Sequence, residues 1–213
     1  MQATRSISET IKVLVVDDHP VVRVGISTII DTQPDMTVVA EAANGEDALV
    51  LYREHRPDLT VMDLRLEKMS GIMCIRKIRR EFPEARFVVL TTYRGDEDIH
   101  QALKAGASGY LLKGMPRQVL LDALRRIHAG ERFLSPPVEQ MLATRKPASE
   151  LSARNRQVLS LLARGKSNKE IAAALGVAEV TVKCHLSVIF LRLNVTDRTQ
   201  AVIAAIQRGL VHL

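Results

Sequence analysis

Asp17, Asp18 and Asp63, together with Thr91, Thr92 and Lys113, are residues whose types could do chemistry as a group. Asp63 follows the apolar run Leu59–Met62, "LTVM", and precedes a charged segment, "LRLEKMSG", that ends at Gly71. A carboxylate in that place can be a helix cap, a metal ligand, a nucleophile or a turn residue. Three carboxylates held close repel one another and need a cation. Oxygen ligands favour Mg²⁺, which binds through one or two carboxylates and keeps several of its waters. A hydroxyl and an ammonium facing them suit a phosphoryl group, whose oxygens need donors.

These residues are far apart in sequence, so a fold must gather them. Strand-like runs, "KVLVV" (12–16), "MTVVAEA" (36–42), "LTVMD", "RFVVLTT" (86–92) and "GYLL" (109–112), alternate with helix-like runs. The latter are "VVRVGISTII", "GEDALVLYREH", "IMCIRKIRREF", "DEDIHQALKA" and "RQVLLDALRRIHAG". Five strands in strict alternation with five helices predict a doubly wound α/β fold, a five-stranded parallel sheet covered on both faces. Its strands are continuous Val/Leu runs because both faces are buried. Function in such sheets collects at the carboxyl ends of the strands. The six residues fall there, after strands one, three, four and five. An Asp after a strand is usually a cap and a lone Lys is usually solvated. Their joint placement is the signal.

The alternation lapses over "RFLSPPVEQMLATRKPAS", which holds Pro136, Pro137 and Pro147 and reads as linker, with a short helix at 138–144. From Glu150 onward only helical periodicity remains. The predicted organisation is therefore 1–131, a linker 132–149, and a small all-α domain 150–213. Charge divides the same way. Of the 213 residues, those from Arg145 onward carry 11 Lys and Arg against 4 Asp and Glu, and the rest carry 19 against 20. A near-neutral front and a basic back suggest two jobs, the second with a polyanion. Aromatics at 3% with no Trp imply aliphatic cores. No run approaches the roughly 20 apolar residues of a membrane span. The N-terminus lacks the apolar region of a signal peptide. Cys74 and Cys184 form no ligand cluster, and a reducing cytoplasm is expected.

The motifs "VVDDHP", "VMDLRL" followed by "SG", "VLTT" and "GYLLK" resemble the receiver domain of two-component response regulators over about residues 11–131. The resemblance implies a flavodoxin-like fold in which Asp63 accepts a phosphoryl group from a sensor histidine kinase. It implies that Asp17, Asp18, Asp63 and the Arg65 carbonyl hold Mg²⁺. Thr91 would bond the phosphoryl oxygens, Lys113 would pair with them, and Tyr110 would be the aromatic switch. Glu67 departs from the pattern, since Pro often stands four residues after the acceptor; the extra charge puts phosphoryl lifetime and kinase pairing in question. His19 also fits "DDHP"; its role is open, with packing or surface favoured. A Mg²⁺-dependent aspartyl-phosphate phosphatase is the enzyme alternative. It typically has a second Asp two residues after the nucleophile, where Arg65 stands here and cannot give up a proton at neutral pH.

In the basic part, Ser167 and Glu170 form an S-x-x-E capping box that opens a helix. That helix stops at Gly176, and another begins near Glu179, giving a helix-turn-helix. On the second helix Val182, Leu186, Ile189 and Leu193 share a buried stripe, leaving Val180, Lys183, Cys184, Ser187 and Leu191 outward. A recognition helix offers such a face to the major groove. The motifs "SNKEIAAALGV", "TVKCHLSVI" and "LRLNVTDRTQAV" resemble the LuxR-type output domain of NarL/FixJ-type regulators over about 150–210. The resemblance implies that Lys183, Cys184 and Ser187 approach base edges. Asn168, Lys169, Thr181 and Arg192 would lie at or near phosphates, and the helix from Asp197 would dimerise. Ala178 stands where a Ser or Thr cap is usual, forfeiting about 1 kcal/mol at the helix start. Asn155 stands where Glu is common, which puts a first-helix salt bridge in doubt.

Together these features predict a cytoplasmic transcription factor, not an enzyme. Phosphorylation at Asp63 would promote homodimers on double-stranded promoter DNA. A DNA-binding protein with a relic receiver is the alternative, weakened because Asp63, Thr91 and Lys113 are all present.

Overall fold

Short runs of Val and Leu become strands because each lies between segments that cap or break helices. The computed structural model describes residues 10–92, 95–144 and 151–211. Strands β1 (Ile11–Val16), β2 (Met36–Ala42), β3 (Leu59–Met62), β4 (Phe87–Thr91), β5 (Gly109–Leu112) and β6 (Phe133–Leu134) form one sheet in the order β2-β1-β3-β4-β5-β6. All five pairings are parallel. The intervening helices are α1 (Pro20–Asp31), α2 (Gly45–His55), α3 (Gly71–Glu81), α4 (Asp96–Ala105) and α5 (Arg117–His128). Their limits are local chemistry. Pro20 opens α1, the Asn44 side chain accepts from the amides of Glu46 and Asp47, and Ser70 Oγ accepts from the Met73 amide.

One face of the sheet is sealed by α1 and α5. Val13, Val15, Val61, Val88 and Leu111 pack there against Ile26, Ile30, Leu121, Leu124 and Ile127. Successive strand residues point to opposite faces. Leu14, Met62, Phe87 and Tyr110, all fully buried, accordingly line the other face, with Ile75 and Ile78 of α3 buried as well.

The sheet has six strands rather than the five expected. β6 pairs Phe133 with Gly109 and Leu134 with Tyr110. Two residues are too few for any period to show. The helix expected at 138–144 is α6 (Pro136–Thr144), which starts earlier because prolines are tolerated in a first turn, where amides have no helical partner. Residues 145–149 of the segment read as linker lie outside the described residues.

Contacts divide the described chain into two units, residues 10–92 with 101–138, and residues 95–100 with 139–211. The second contains α7 (Ala153–Ala163), α8 (Asn168–Leu175), α9 (Glu179–Leu193) and α10 (Arg198–Gln207). Its core joins Val158, Leu159, Leu162 and Ile171 to the expected α9 stripe of Val182, Leu186, Ile189 and Leu193. Among the described residues no single helix is long and apolar enough to cross a membrane.

Candidate functional site

Strand register brings the acidic residues together. Val16 pairs with Met62, and the Asp63 amide donates to the Val16 carbonyl at 2.9 Å, so Asp17 and Asp63 leave neighbouring strands side by side. Asp17 is 1% and Asp63 3% exposed. Ligand atoms of Asp17, Asp18, His19 and Asp63 all lie within 4.8 Å of one another. The Lys113 ammonium reaches into this group from the end of β5, 2.6 Å from Asp63 Oδ2 and 2.7 Å from Asp17 Oδ2. Burial pulls the Lys113 pKa down, but the hydrogen bonds and charges of Asp17 and Asp63 outweigh it and hold it above the ordinary value. The ammonium stays charged.

The other receiver residues are placed by the same register. Met62 pairs with Val89, so Asp63 is one residue past that level and Thr91 two. The Lys113 amide donates to the Thr91 carbonyl at 2.8 Å. Thr91 and Tyr110 are fully buried, whereas Thr92 is exposed. Arg65 contributes its amide, 3.3 Å from Asp63 Oδ1, and its carbonyl belongs to the same tight loop. Glu67 is exposed, and its carboxylate is not in the close acidic group. The loop turns there through Lys68, in a left-handed conformation (φ 64°), with the Met69 amide donating to the Glu67 carbonyl.

Three contributors were not read from sequence in these roles. His19 Nδ1 lies 2.6 Å from Asp18 Oδ1, at the rim of the cluster with the side chain 66% exposed. Arg23 Nη1 donates to the Asp17 carbonyl at 2.7 Å while Nε contacts Glu41 at 3.2 Å, tying α1 to the acidic loop. At Gly71 a Cβ would fall 2.0 Å from the Asp63 carbonyl oxygen, so this glycine lets the loop close behind the carboxylate. "SG" after the acceptor was the signal for Gly71. His19 stood in "VVDDHP" with its role open, and Arg23 had no signal.

In the helical unit the capping box forms as expected. Glu170 Oε2 accepts from the Ser167 amide at 2.8 Å, and Ser167 Oγ accepts from the Glu170 amide. The Ser167 amide, then Lys166 and the Ser167 hydroxyl, bring the Glu170 carboxyl down to about 2. Gly176 ends α8 at φ 65°, and α9 leaves at a 107° bend. This is helix-turn-helix geometry. α9 starts at Ala178 without a side-chain cap. Val180, Lys183, Cys184, Ser187 and Leu191 are exposed, as is Arg192 near the helix end. Ser187 Oγ donates to the Lys183 carbonyl at 3.1 Å, keeping its lone pairs outward. At the start of α8, Lys169 is exposed and Asn168 half-buried; Thr181 is half-buried on the first turn of α9. Asn155, 6% exposed, accepts from His185 Nδ1 at 2.8 Å. A neutral amide thus bridges α7 and α9. Cys184 is a free exposed thiol; Cys74 is free and buried, its thiol pushed up to about 12 by burial.

Residues 13–125 match the response regulator receiver domain, and residues 149–205 match the luxR family of bacterial regulatory proteins. The response regulator protein VraR of Staphylococcus aureus (strain Mu3) is 41% identical over 207 residues, 95% of this chain and 99% of VraR. The chain belongs to the response regulators. Among solved structures, a LuxR-family two-component response regulator from Aurantimonas sp. is 41% identical at a TM-score of 0.61, covering 63% of this chain and 96% of its own. The response regulator ChrA, of a heme-sensing two-component system, is 40% identical at a TM-score of 0.57, covering 94% and 98%. An RcsB–DNA complex, 24% identical with a TM-score of 0.69, covers 93% and 99% and shares the fold. This response regulator therefore pairs a flavodoxin-like receiver with a LuxR-type helix-turn-helix DNA-binding domain.

Proposed function

We propose that this response regulator takes a phosphoryl group from a sensor histidine kinase onto Asp63 and, once phosphorylated, dimerises and binds promoter DNA in the cytoplasm. The observation that carries the reading is the Lys113 ammonium, seated between the buried carboxylates of Asp63 and Asp17. An ammonium so placed can meet a phosphoryl oxygen without moving far. The cluster suits Mg²⁺, since its oxygens lie within 4.8 Å of one another and carboxylate oxygen is the donor this ion prefers. Asp17, Asp18, Asp63 and the Arg65 carbonyl would hold it. When bound, Mg²⁺ offsets the negative charge of the carboxylates and the incoming phosphoryl group.

The chain's own residues do the rest. An Asp63 oxygen forms the new O–P bond as the P–N bond to the kinase histidine breaks. The modified side chain carries about −2 charge in place of −1. Lys113 shifts its hydrogen bond from the Asp63 carboxylate to a phosphoryl oxygen, and the Thr91 hydroxyl donates to another. Tyr110, enclosed beside β4, takes up space that Thr91 leaves. In the output domain, Lys183, Cys184 and Ser187 face base edges, while Asn168, Lys169, Thr181 and Arg192 lie along the backbone. Exposed Ile203 and Ile206 on α10 support self-association through that helix. A two-fold dimer would read half-sites about one helical turn apart.

The test is incubation of the full chain with acetyl phosphate and Mg²⁺. An acid-labile phosphoryl group on Asp63 and a rise in solution mass toward the dimer are expected. Asp18→Ala should lose the Mg²⁺-dependent labelling; labelling at the parent rate in chelator would rule out the metal role.

Base readout separates from backbone contact in the same way. Lys183 can donate to guanine O6 and N7, and its pairing with Glu179, 3.7 Å away at an exposed site, holds it only weakly. Lys183→Ala should cost roughly 1–3 kcal/mol on a cognate site and much less on random DNA. Lys169→Ala should weaken both about equally and lower the salt slope by about 1. Identical behaviour of the two variants would mean the recognition helix is misoriented.

A further inference from the structure

Far from the acidic cluster, two adjoining hollows open between the C-terminal ends of α2 and α3, each about 430 Å³. Glu81 lines both. In the first, the Arg56 guanidinium lies 3.8 Å over the Phe82 ring, which stacks on Tyr52 at 5.3 Å between centroids. Arg86 lines the same hollow, and Lys77 and Arg80 line the second. Three carboxylates line the hollows: Glu81 and Asp58 are engaged elsewhere, and Glu84, among the described residues, makes no ion pair. Arg53 grips Glu81 through three hydrogen bonds of 2.8 to 3.1 Å, and Asp58 accepts from the Lys12 amide at 2.8 Å. Among the described residues, no carboxylate is within ion-pair distance of Arg56, Lys77, Arg80 or Arg86.

Arg56 and the wall beside it are also held in place. Arg56 closes α2 in the left-handed conformation (φ 46°), with its Nε donating to the Arg53 carbonyl. Arg79 donates to the carbonyls of Pro83 and Ala85, fixing the wall beyond Phe82. A guanidinium placed over an aromatic stack can offer its outer face to another flat ring. Unpaired guanidinium and ammonium groups nearby suit phosphate oxygens.

We infer that this face of the receiver binds a nucleoside phosphate, with the base on Arg56 and the phosphates toward Arg86, Lys77 and Arg80. The site is distinct from Asp63, so its occupancy would let a small metabolite report on the phosphorylated domain independently of the kinase. The test is titration of the isotope-labelled full chain with ADP in the presence of chelator, which removes any metal bridge to Asp17, Asp18 and Asp63. Saturable shifts at Phe82, Ala85 and Arg86 are expected, with pyrophosphate alone and adenosine alone each at least tenfold weaker. Arg56→Asn, which tolerates the left-handed backbone, and Lys77→Ala with Arg80→Ala should each weaken ADP binding about tenfold or more. Both variants should accept phosphate at Asp63 as the parent does. No saturable shift at millimolar ADP, pyrophosphate binding as tightly as ADP, or unchanged affinity in both variants would overturn the inference.

Discussion

Asp63→Asn is expected to abolish acid-labile phosphorylation and the DNA binding that phosphorylation stimulates, while leaving the circular dichroism spectrum of the folded chain in place. The amide keeps the shape of the carboxylate but is a far poorer nucleophile, and it cannot form the mixed anhydride that an aspartyl phosphate is. Fold survival follows from the site's electrostatics. Lys113 loses one anionic partner at 2.6 Å but keeps Asp17 at 2.7 Å, and the variant relieves repulsion among three neighbouring carboxylates. Labelling from acetyl phosphate is the measurement. Parent-level incorporation in the variant would remove Asp63 from the acceptor role, and a lost fold would show that the carboxylate is structural.

The second large effect should come from a residue with no chemistry of its own. A Cβ at position 71 would lie 2.0 Å from the Asp63 carbonyl oxygen and 2.9 Å from both the Asp63 carbonyl carbon and Leu64 Cα. Backbone atoms cannot rotate aside as a side chain can, so Gly71→Ala must push the loop off β3 or unwind the start of α3. A cost of about 3 kcal/mol is expected, lowering Tm by roughly 10 °C. Phosphoryl uptake at temperatures where the variant is still folded should slow as well, because the displaced segment carries Asp63. A variant with parent Tm and parent labelling rate would show that the loop yields to the added methyl at no cost.

Much of this was legible in the chain because the informative signals were long. Continuous Val/Leu runs alternating with amphipathic ones set the sheet and the helices, and strand ends then located Asp17, Asp63, Thr91 and Lys113. The outward face of α9 followed from a single 3.6-residue period anchored on Val182. Sequence did not reveal contacts between residues with no shared period. Arg23 reaching the Asp17 carbonyl, or Asn155 accepting a hydrogen bond from His185, depends on how helices are set against neighbours. Nor did sequence reveal the turn beside the acceptor, where Lys68 adopts a left-handed conformation next to the exposed Glu67.

The shortest strand has a bearing on solubility. β6 contributes only Phe133 and Leu134, yet it covers the hydrogen-bonding edge of β5 along Gly109 and Tyr110. A bare sheet edge is a template on which another chain can add a strand, and proteins shield such edges with short strands or charge. Here two residues act as that shield, flanked by exposed Glu131 and Arg132 on one side and Pro136 on the other. A receiver fragment trimmed before Phe133 would keep every residue of the acidic cluster and present a sticky margin to its copies. One that runs through Ser135 would keep its edge closed.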